Sequence, residues 1–576
     1  PHGIYLHLYG ADLGRLPDGT WCVCRDRTQA PAGPAYSLEN RFIVSRTLPD
    51  LFRDCHAERL APFFRTWRES LPQFAPRAVD TPRLVVLSPG AEHESYFEHA
   101  YLARYLGYTL VEGEDLTVRD GAVYLKTVSR LHPVDVILRR IDDRVADPLE
   151  LEGGGFVGVT GLLEAVRQRR VTVINALGSG VAHSPALLPF LPALCRDLLG
   201  EELLLPSIPT LWCGQPEGLA QVEQRLSSMV LEPCFARAGQ DPIFGDRLTR
   251  RQRTEVLDML REQPAAWVAQ ERVGLATMPL LSGDRLTLGH GVLRTFGIVR
   301  PDGGWEIMPG GLVRTSTDVR NLLVSVERSG GSKDCWIVST TPLAATVPAP
   351  ASVESIELRR GDGDMPSRVA DTLYWLGRYI ERSESTARIL RSLLIRTMDR
   401  TDLEVLPEVP VLMRVLTGGK ARPSEEDGLP PWERLQHDLL ALSLQPRRAG
   451  SLKKWLNDIG RLSLRVRDRW TPDAWRVLTQ LTSAMHQPSP DRPVDSSRLL
   501  LLLNRLMLHL AAFSGLAYEN MTRNLELRIT DIGRRMERAL QMIELLDVTL
   551  GRTAARESTV LEALLEIGDS AITYRQ

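Results

Sequence analysis

The sequence predicts an α+β domain with an inserted α/β unit, followed by an all-α helical bundle. Three observations predict it. Short β-branched runs alternate with helical patterns between residues 80 and 200, hairpin signals flank that region, and beyond residue 365 apolar residues recur every three or four positions. With 576 residues, 43% hydrophobic and 25% charged, the chain is long enough for roughly three to five compact units.

Residues 1–75 open on IYLHLY, which reads as a strand, and carry the turn signal LPDGTW. The chain starts at Pro1 with no signal-like charged and apolar segment, and the start of a domain is expected to be missing. Residues 76–205 run RLVVLSP, YFEHAYLARYLG, DVILRR, GLLEAVRQRR and VTVINALG; strand, helix, strand, helix, strand predicts a parallel sheet with helices on its faces. Residues 206–345 return to strand-like segments, with RPDGGW as a second hairpin signal, and are expected to complete the α+β domain begun by 1–75. The Pro/Ala/Gly-rich stretch 346–364 reads as a linker. Residues 365–576 form the bundle, with 400–431 read as a long connection.

Within the bundle one motif occurs twice, as Gly377-Arg378-Tyr379-Ile380-Glu381-Arg382 and Gly533-Arg534-Arg535-Met536-Glu537-Arg538. On a helix, Arg and Glu three apart share a face, and glycine permits a close crossing. Two readings stand: ion pairs between packed helices, or a polar interaction site.

Charge excludes some function classes. Seventy Lys+Arg against 72 Asp+Glu give a net charge of -2, which argues against a general nucleic-acid binder. The longest apolar stretch, Leu499 to Leu510, is broken by Asn504, Arg505 and His509, so it reads as a buried helix and no membrane span is expected. Seven cysteines without a CxxC pair point to reduced thiols and a cytoplasmic location.

Several segments carry residue types suited to chemistry. In DRTQAPAGPAYSLENR, Asp26 ends a strand-like run and Glu39-Asn40 closes a second short segment; on neighbouring strands these hard oxygen ligands suit Mg²⁺ with a nucleotide, the alternative being solvated acids near a turn. MVLEPCF reads as a strand, followed by a loop with Gly239 and Gly245 whose amides suit phosphates, or by an ordinary connection. Gln270 and Glu271 leave the AAWVAQERV strand where an amide and a carboxylate suit an adenine edge and a ribose. The turn Gly178-Ser179-Gly180 and the cluster Arg139, Arg140, Asp142 and Asp143 also lie at strand ends. HESYFEH is not a zinc motif, because His93 and His99 are six apart rather than four.

Long ordered motifs then converge on a family. DLGRLPDGTW, AYSLENR, YFEHAYLARYLGYTLVEGEDLTVRDG, VDVILRRIDDRVADPLEL, INALGSG, LPSIPTLWCG, IMPGGLVR and GGSKDCW resemble the circularly permuted ATP-grasp proteins related to glutathionylspermidine synthetase. RVADTLYWLGRYIERSESTARIL and YENMTRN with DIGRRMERAL resemble the alpha-E helical domain often fused to them. The resemblance implies an ATP-dependent carboxylate–amine ligase working through an acyl phosphate on a peptide or amino-acid-like substrate. It implies Asp26, Glu39 and Asn40 as Mg²⁺ ligands and Arg41 near the phosphates. Gln270 and Glu271 would contact adenine and ribose, and Arg314 and Lys333 would be cations for phosphate or intermediate. Phosphoryl transfer needs such charges because it rests on positioning and electrostatic stabilisation.

This chain departs from the family pattern at Glu232, where relatives carry a phosphate-binding lysine; Arg237 in the following loop is the expected substitute. The expectation at Glu232 is that Glu232→Lys tightens Mg²⁺–ATP binding by removing a repulsion. The departure motivates a second reading, a catalytically degenerate scaffold whose helical domain binds a protein partner.

Overall fold

The computed structural model describes residues 3–153, 155, 157–235, 240–318, 331–339, 365–398, 406–418, 431–484, 495–520, 525–550 and 558–575. The chain divides into two compact units, Pro1–Leu125 with His132–Glu357, and Lys126–Leu131 with Leu358–Gln576. The linker expected at 346–364 lies outside the described residues, as do Arg237 and Gly239.

The first unit is organised by an antiparallel sheet drawn from both ends of its sequence. Strands β1 (Leu8–Arg15) and β2 (Trp21–Arg27) form the hairpin that LPDGTW predicts, closed by Leu16 N donating to Thr20 O at 2.8 Å. Helix α1 (Pro34–Thr47) follows. Here the structure corrects the reading of Glu39-Asn40 as part of a short strand. Pro34 supplies the preset φ of a first helical turn, Gly33 turns into it at φ 129°, and the buried Glu98 carboxylate accepts from Gly33 N at 2.6 Å and Ala35 N at 3.3 Å. That carboxylate comes from 65 residues along the chain, so local sequence did not reveal the helix start.

Between residues 84 and 174 four strands, Thr109–Val111, Leu84–Leu87, Val136–Arg139 and Thr172–Ile174, pair in that order and all in parallel. A smaller antiparallel sheet contains β3 (Met229–Pro233) beside β4 (Trp267–Glu271). Strand β5 (Arg285–Val299) then returns to pair with β1, and β6 (Gly310–Ser316) and β7 (Gly331–Trp336) extend the large sheet in the order β7-β6-β5-β1-β2. Segments 1–75 and 206–345 thus share one sheet. Leu8, Phe296 and Ile298 of that sheet pack in one core with Val86, Val136 and Leu138 of the parallel sheet and with Phe63, Phe64 and Trp67. Their burial supplies about 1.5–3 kcal/mol for each large side chain.

The second unit is helical. Helix α2 (Ser367–Thr397) carries the first GRxxER copy and, with α3 (Leu452–Arg465), α4 (Ser496–Asn520) and α5 (Leu525–Leu550), surrounds a leucine-rich core; α5 carries the second copy. A further helix, Glu408–Thr417, lies inside the stretch read as a connection, because Val409, Leu412 and Val415 bury one face at three-residue spacing. Helix α4 is the helix that the apolar stretch predicts. Over Ser496–Glu519 it is long and apolar enough by length and composition to cross a membrane, since the interruptions weigh less over a whole helix than over a short run. Leu499, Leu503, Leu506, Leu510 and Phe513 are buried in the helical core.

The two motifs meet as ion pairs between packed helices. Glu537 accepts from Arg378 Nε at 2.5 Å and Arg382 Nε at 2.6 Å, while Glu381 accepts from Arg534 at 3.3 Å and Arg538 Nε at 2.5 Å. Each glutamate is thus held by two arginines of the other copy, while Arg535 pairs with Asp531. The pairs follow the same order along both helices, so α2 and α5 run parallel.

Candidate functional site

On one face of the large sheet a single carboxylate gathers three arginines. Asp12 of β1 stands directly across from Arg294 of β5 and Arg25 of β2. It accepts from Arg294 Nε at 2.6 Å and Nη2 at 2.9 Å, and from Arg27 Nη2 at 2.9 Å, with Arg314 Nη2 of β6 at 3.6 Å. Three guanidiniums against one carboxylate leave an excess of two positive charges. Burial pushes the Asp12 carboxyl up, but Arg294 and Arg27 outweigh it and hold the group well below the carboxylate range. Burial also brings Arg27 and Arg314 down to about 10, Asp12 opposing and Arg294 assisting. Among the described residues Arg314 Nε is buried without an acceptor.

Beside this cluster lies a cavity of about 530 Å³, walled by Arg25, Asp26 and Arg27 of β2, by the turns at Asp143 and Gly180, and by the end of β3 at Glu232. Its walls are fixed by local bonding. Asn175 accepts from His7 N and Leu8 N at 2.8 Å each and donates to Thr28 O at 2.6 Å, pinning β1 to the loop after β2. Arg139 and Arg140 donate to Gln29 O and Pro31 O at 3.2 and 2.9 Å, so two members of the strand-end arginine cluster hold this loop. Gly180 N donates to Asp143 at 3.0 Å, which commits that amide to the protein. His183 also faces the cavity; burial, with Arg27 second, brings it down to about 3, so it is neutral beside Arg27 Nη1 at 3.2 Å.

The structure places the expected site residues in several locations. Asp26 and Glu232 both line the cavity. Tyr9 donates its hydroxyl to Asp26, whose carboxyl is raised by burial against that hydrogen bond. Glu232 is ion-paired with Arg25. Glu39 interacts with Tyr101 and Asn40 donates to Ser332 of β7 at 3.1 Å. Since β7 and β2 are opposite ends of the sheet path, four spacings of about 4.8 Å separate the strand carrying Asp26 from the one touched by Asn40. A cation with ligand distances of about 2.1 Å does not bridge that gap, so Asp26, Glu39 and Asn40 are not one ligand set. Among the described residues no group of three or more His, Cys, Asp or Glu is disposed to hold a metal.

Arg41 is buried under β7, donating to Asp334 at 2.6 Å, Glu58 O at 2.5 Å and Cys335 O at 2.6 Å, and it ties α1 to the sheet. Lys333 donates to Pro279 O at 2.6 Å on the surface. Gln270 is buried on β4 and donates to Thr210 at 3.4 Å, while Glu271 accepts from Arg225 at 2.5 Å. Asp12, Arg25, Arg27, Arg294 and His183 escaped the sequence reading. A signal existed: Arg294 puts a charge in the otherwise apolar run GVLRTFGIV, and Arg25 and Arg27 share one face at the charged end of WCVCRDR.

This fold is of the ATP-grasp type, followed by a helical domain. The chain belongs to the circularly permuted ATP-grasp type 2 family, matched over residues 1–316, and residues 365–576 match Alpha-E, a predicted alpha-helical domain with a conserved ER motif. An uncharacterized protein of Mycobacterium tuberculosis (strain ATCC 25618 / H37Rv) is 32% identical over 598 residues, covering 100% of this chain and 66% of its own length. An uncharacterized protein of Synechocystis sp. is 35% identical over 338 residues, covering 59% of this chain and 70% of its own. The apo structure of a glutathione synthetase-like effector from Globodera pallida is 12% identical with a TM-score of 0.37, covering 58% of this chain and 76% of that one. The chain therefore spans just under two thirds of the length of the mycobacterial relative.

Proposed function

We propose that the protein is an ATP-dependent carboxylate–amine ligase acting on a peptide or amino-acid-like substrate in the cytoplasm. A substrate carboxylate takes the γ-phosphoryl group of ATP with release of ADP; an amine then attacks the acyl phosphate, expelling phosphate and a proton and leaving an amide. The observation that carries this reading is the Asp12 cluster, two positive charges in excess beside a cavity of about 530 Å³. Prealigned guanidiniums stabilise the charge that spreads over phosphoryl oxygens without reorganising during the reaction. Arg27 reaches the cavity wall, and Arg314 holds an unused buried donor behind it.

On this reading Gln270 and Glu271 contact adenine and ribose, and the parallel sheet between residues 84 and 174 is an inserted Rossmann-like unit. Such ligases use Mg²⁺ with ATP; of the three expected ligands Asp26 alone lines the cavity. The scaffold alternative rests on Glu232 standing where relatives carry a phosphate-binding lysine; here Glu232 is ion-paired with Arg25 at the cavity wall. The test is thermal shift with Mg²⁺–ATP, alongside ADP release over a panel of amines and carboxylates. Saturating nucleotide at a hundred times Kd should stabilise the protein by about 2.7 kcal/mol. Absence of any shift sinks the reading.

A further inference from the structure

We propose that α2 and α3 present a docking face for an acidic, extended peptide segment of a partner protein, a role separate from the nucleotide reading of the first unit. Seven residues build it. Arg378 lies over the rings of Tyr374 and Trp375, the latter at 5.3 Å, and Arg382 over Tyr379 at 5.6 Å and Trp455 at 4.9 Å. Lys454 lies 5.4 Å from the Trp455 ring. Trp, Tyr and Arg in one patch are the composition of interface hot spots, where rigid side chains lose little entropy on binding.

Charge selects the partner. Arg378 and Arg382 share Glu537, which is 1% exposed, and Lys454 adds a third cation over the Trp455 ring. Glu537 takes Nε of Arg378 and both Nε and Nη2 of Arg382, and Tyr374 takes Nη1 of Arg378; among the described residues Arg378 Nη2 and Arg382 Nη1 have no acceptor. These edges lie one helical turn apart, about 6 Å of rise. Alternate residues of an extended strand point the same way at about 6.6–6.8 Å, so a Glu-x-Glu segment matches the spacing. Nucleic acid fits less well, because bases need open ring faces to stack on. Here Tyr379 and Trp455 stack on each other at 5.6 Å with Arg382 over both rings.

The test is fluorescence anisotropy on the full chain with a labelled peptide of alternating Glu and Ser, the same peptide with Gln for Glu, and a labelled oligothymidine. Wild type should bind the Glu peptide at least about tenfold more tightly than either other probe, and Lys454→Glu should weaken that binding about tenfold. Trp375→Ala should weaken it as well, with unchanged helical circular dichroism. Equal binding of the Glu and Gln peptides, tighter binding of oligothymidine, or wild-type affinity in Lys454→Glu overturns the proposal. Because the readout uses no nucleotide, its failure is distinct from a failure of ATP binding.

Discussion

Gly377 and Gly533 meet at one crossing of two parallel helices: a Cβ on Gly377 would stand 2.2 Å from Thr530 O, and one on Gly533 would stand 2.2 Å from Tyr374 O. The absence of side chains lets the backbones approach closely, and the reciprocal Arg–Glu pairs one turn further along depend on that approach.

Gly377→Ala and Gly533→Ala should therefore each destabilise the helical unit by about 1–3 kcal/mol, because the atoms that must give way are backbone. Alanine is the better helix former by about 1 kcal/mol, so the measured loss is steric. Gly515→Ala in α4, where an added Cβ meets nothing within 4 Å, should be neutral or stabilising. Urea midpoints of the three variants check the ordering.

Glu537 gives a pH dependence with a defined sign. Burial raises its carboxyl pKa, but hydrogen bonds from Arg382 and Arg378 outweigh this and leave it below the usual value of 4.5. A depressed carboxylate contributes stability that is present above the unfolded pKa and is lost as pH falls through the folded one. Acid unfolding of the helical unit below about pH 4.5 should be steeper in wild type than in Glu537→Gln. At pH 7 the variant should be less stable by about 3 kcal/mol, since two arginines lose a buried partner. Equal pH slopes would contradict the assignment.

For Glu232 the expectation read from sequence reverses. A lysine there would face Arg25, so Glu232→Lys should lower stability and leave Mg²⁺–ATP binding no tighter. The swap Arg25→Glu with Glu232→Lys should recover most of the stability. Thermal melts with and without nucleotide separate the two effects.

Asp12→Asn should leave Arg27, Arg294 and Arg314 uncompensated and cost the first unit about 3–5 kcal/mol. An anion should offset part of this. Inorganic phosphate in place of chloride is expected to raise the melting temperature of Asp12→Asn more than that of wild type, and an equal rise in both would place the anion elsewhere.

Asp26→Asn should abolish Mg²⁺–ATP stabilisation, whereas Glu39→Gln should leave it largely intact, because Asp26 lines the cavity and Glu39, on α1, is engaged with Tyr101 of the helix Tyr96–Leu106. Thermal shift at saturating nucleotide distinguishes them.

Much of the fold was legible from local pattern alone. RLVVLSP, DVILRR and VTVINALG became strands of a parallel sheet, both PDG turns became hairpins, and the GRxxER copies fell mid-helix, because periodicity and turn chemistry are short-range properties. What only the tertiary structure decided depends on contacts distant in sequence. Asp12 meets Arg294 across 282 residues, Glu232 finds Arg25 across 207, and Glu98 starts a helix at Gly33 from 65 residues away. A charge read in isolation looks solvated or repulsive; whether it is matched is set by the partner that strand order and burial bring opposite it.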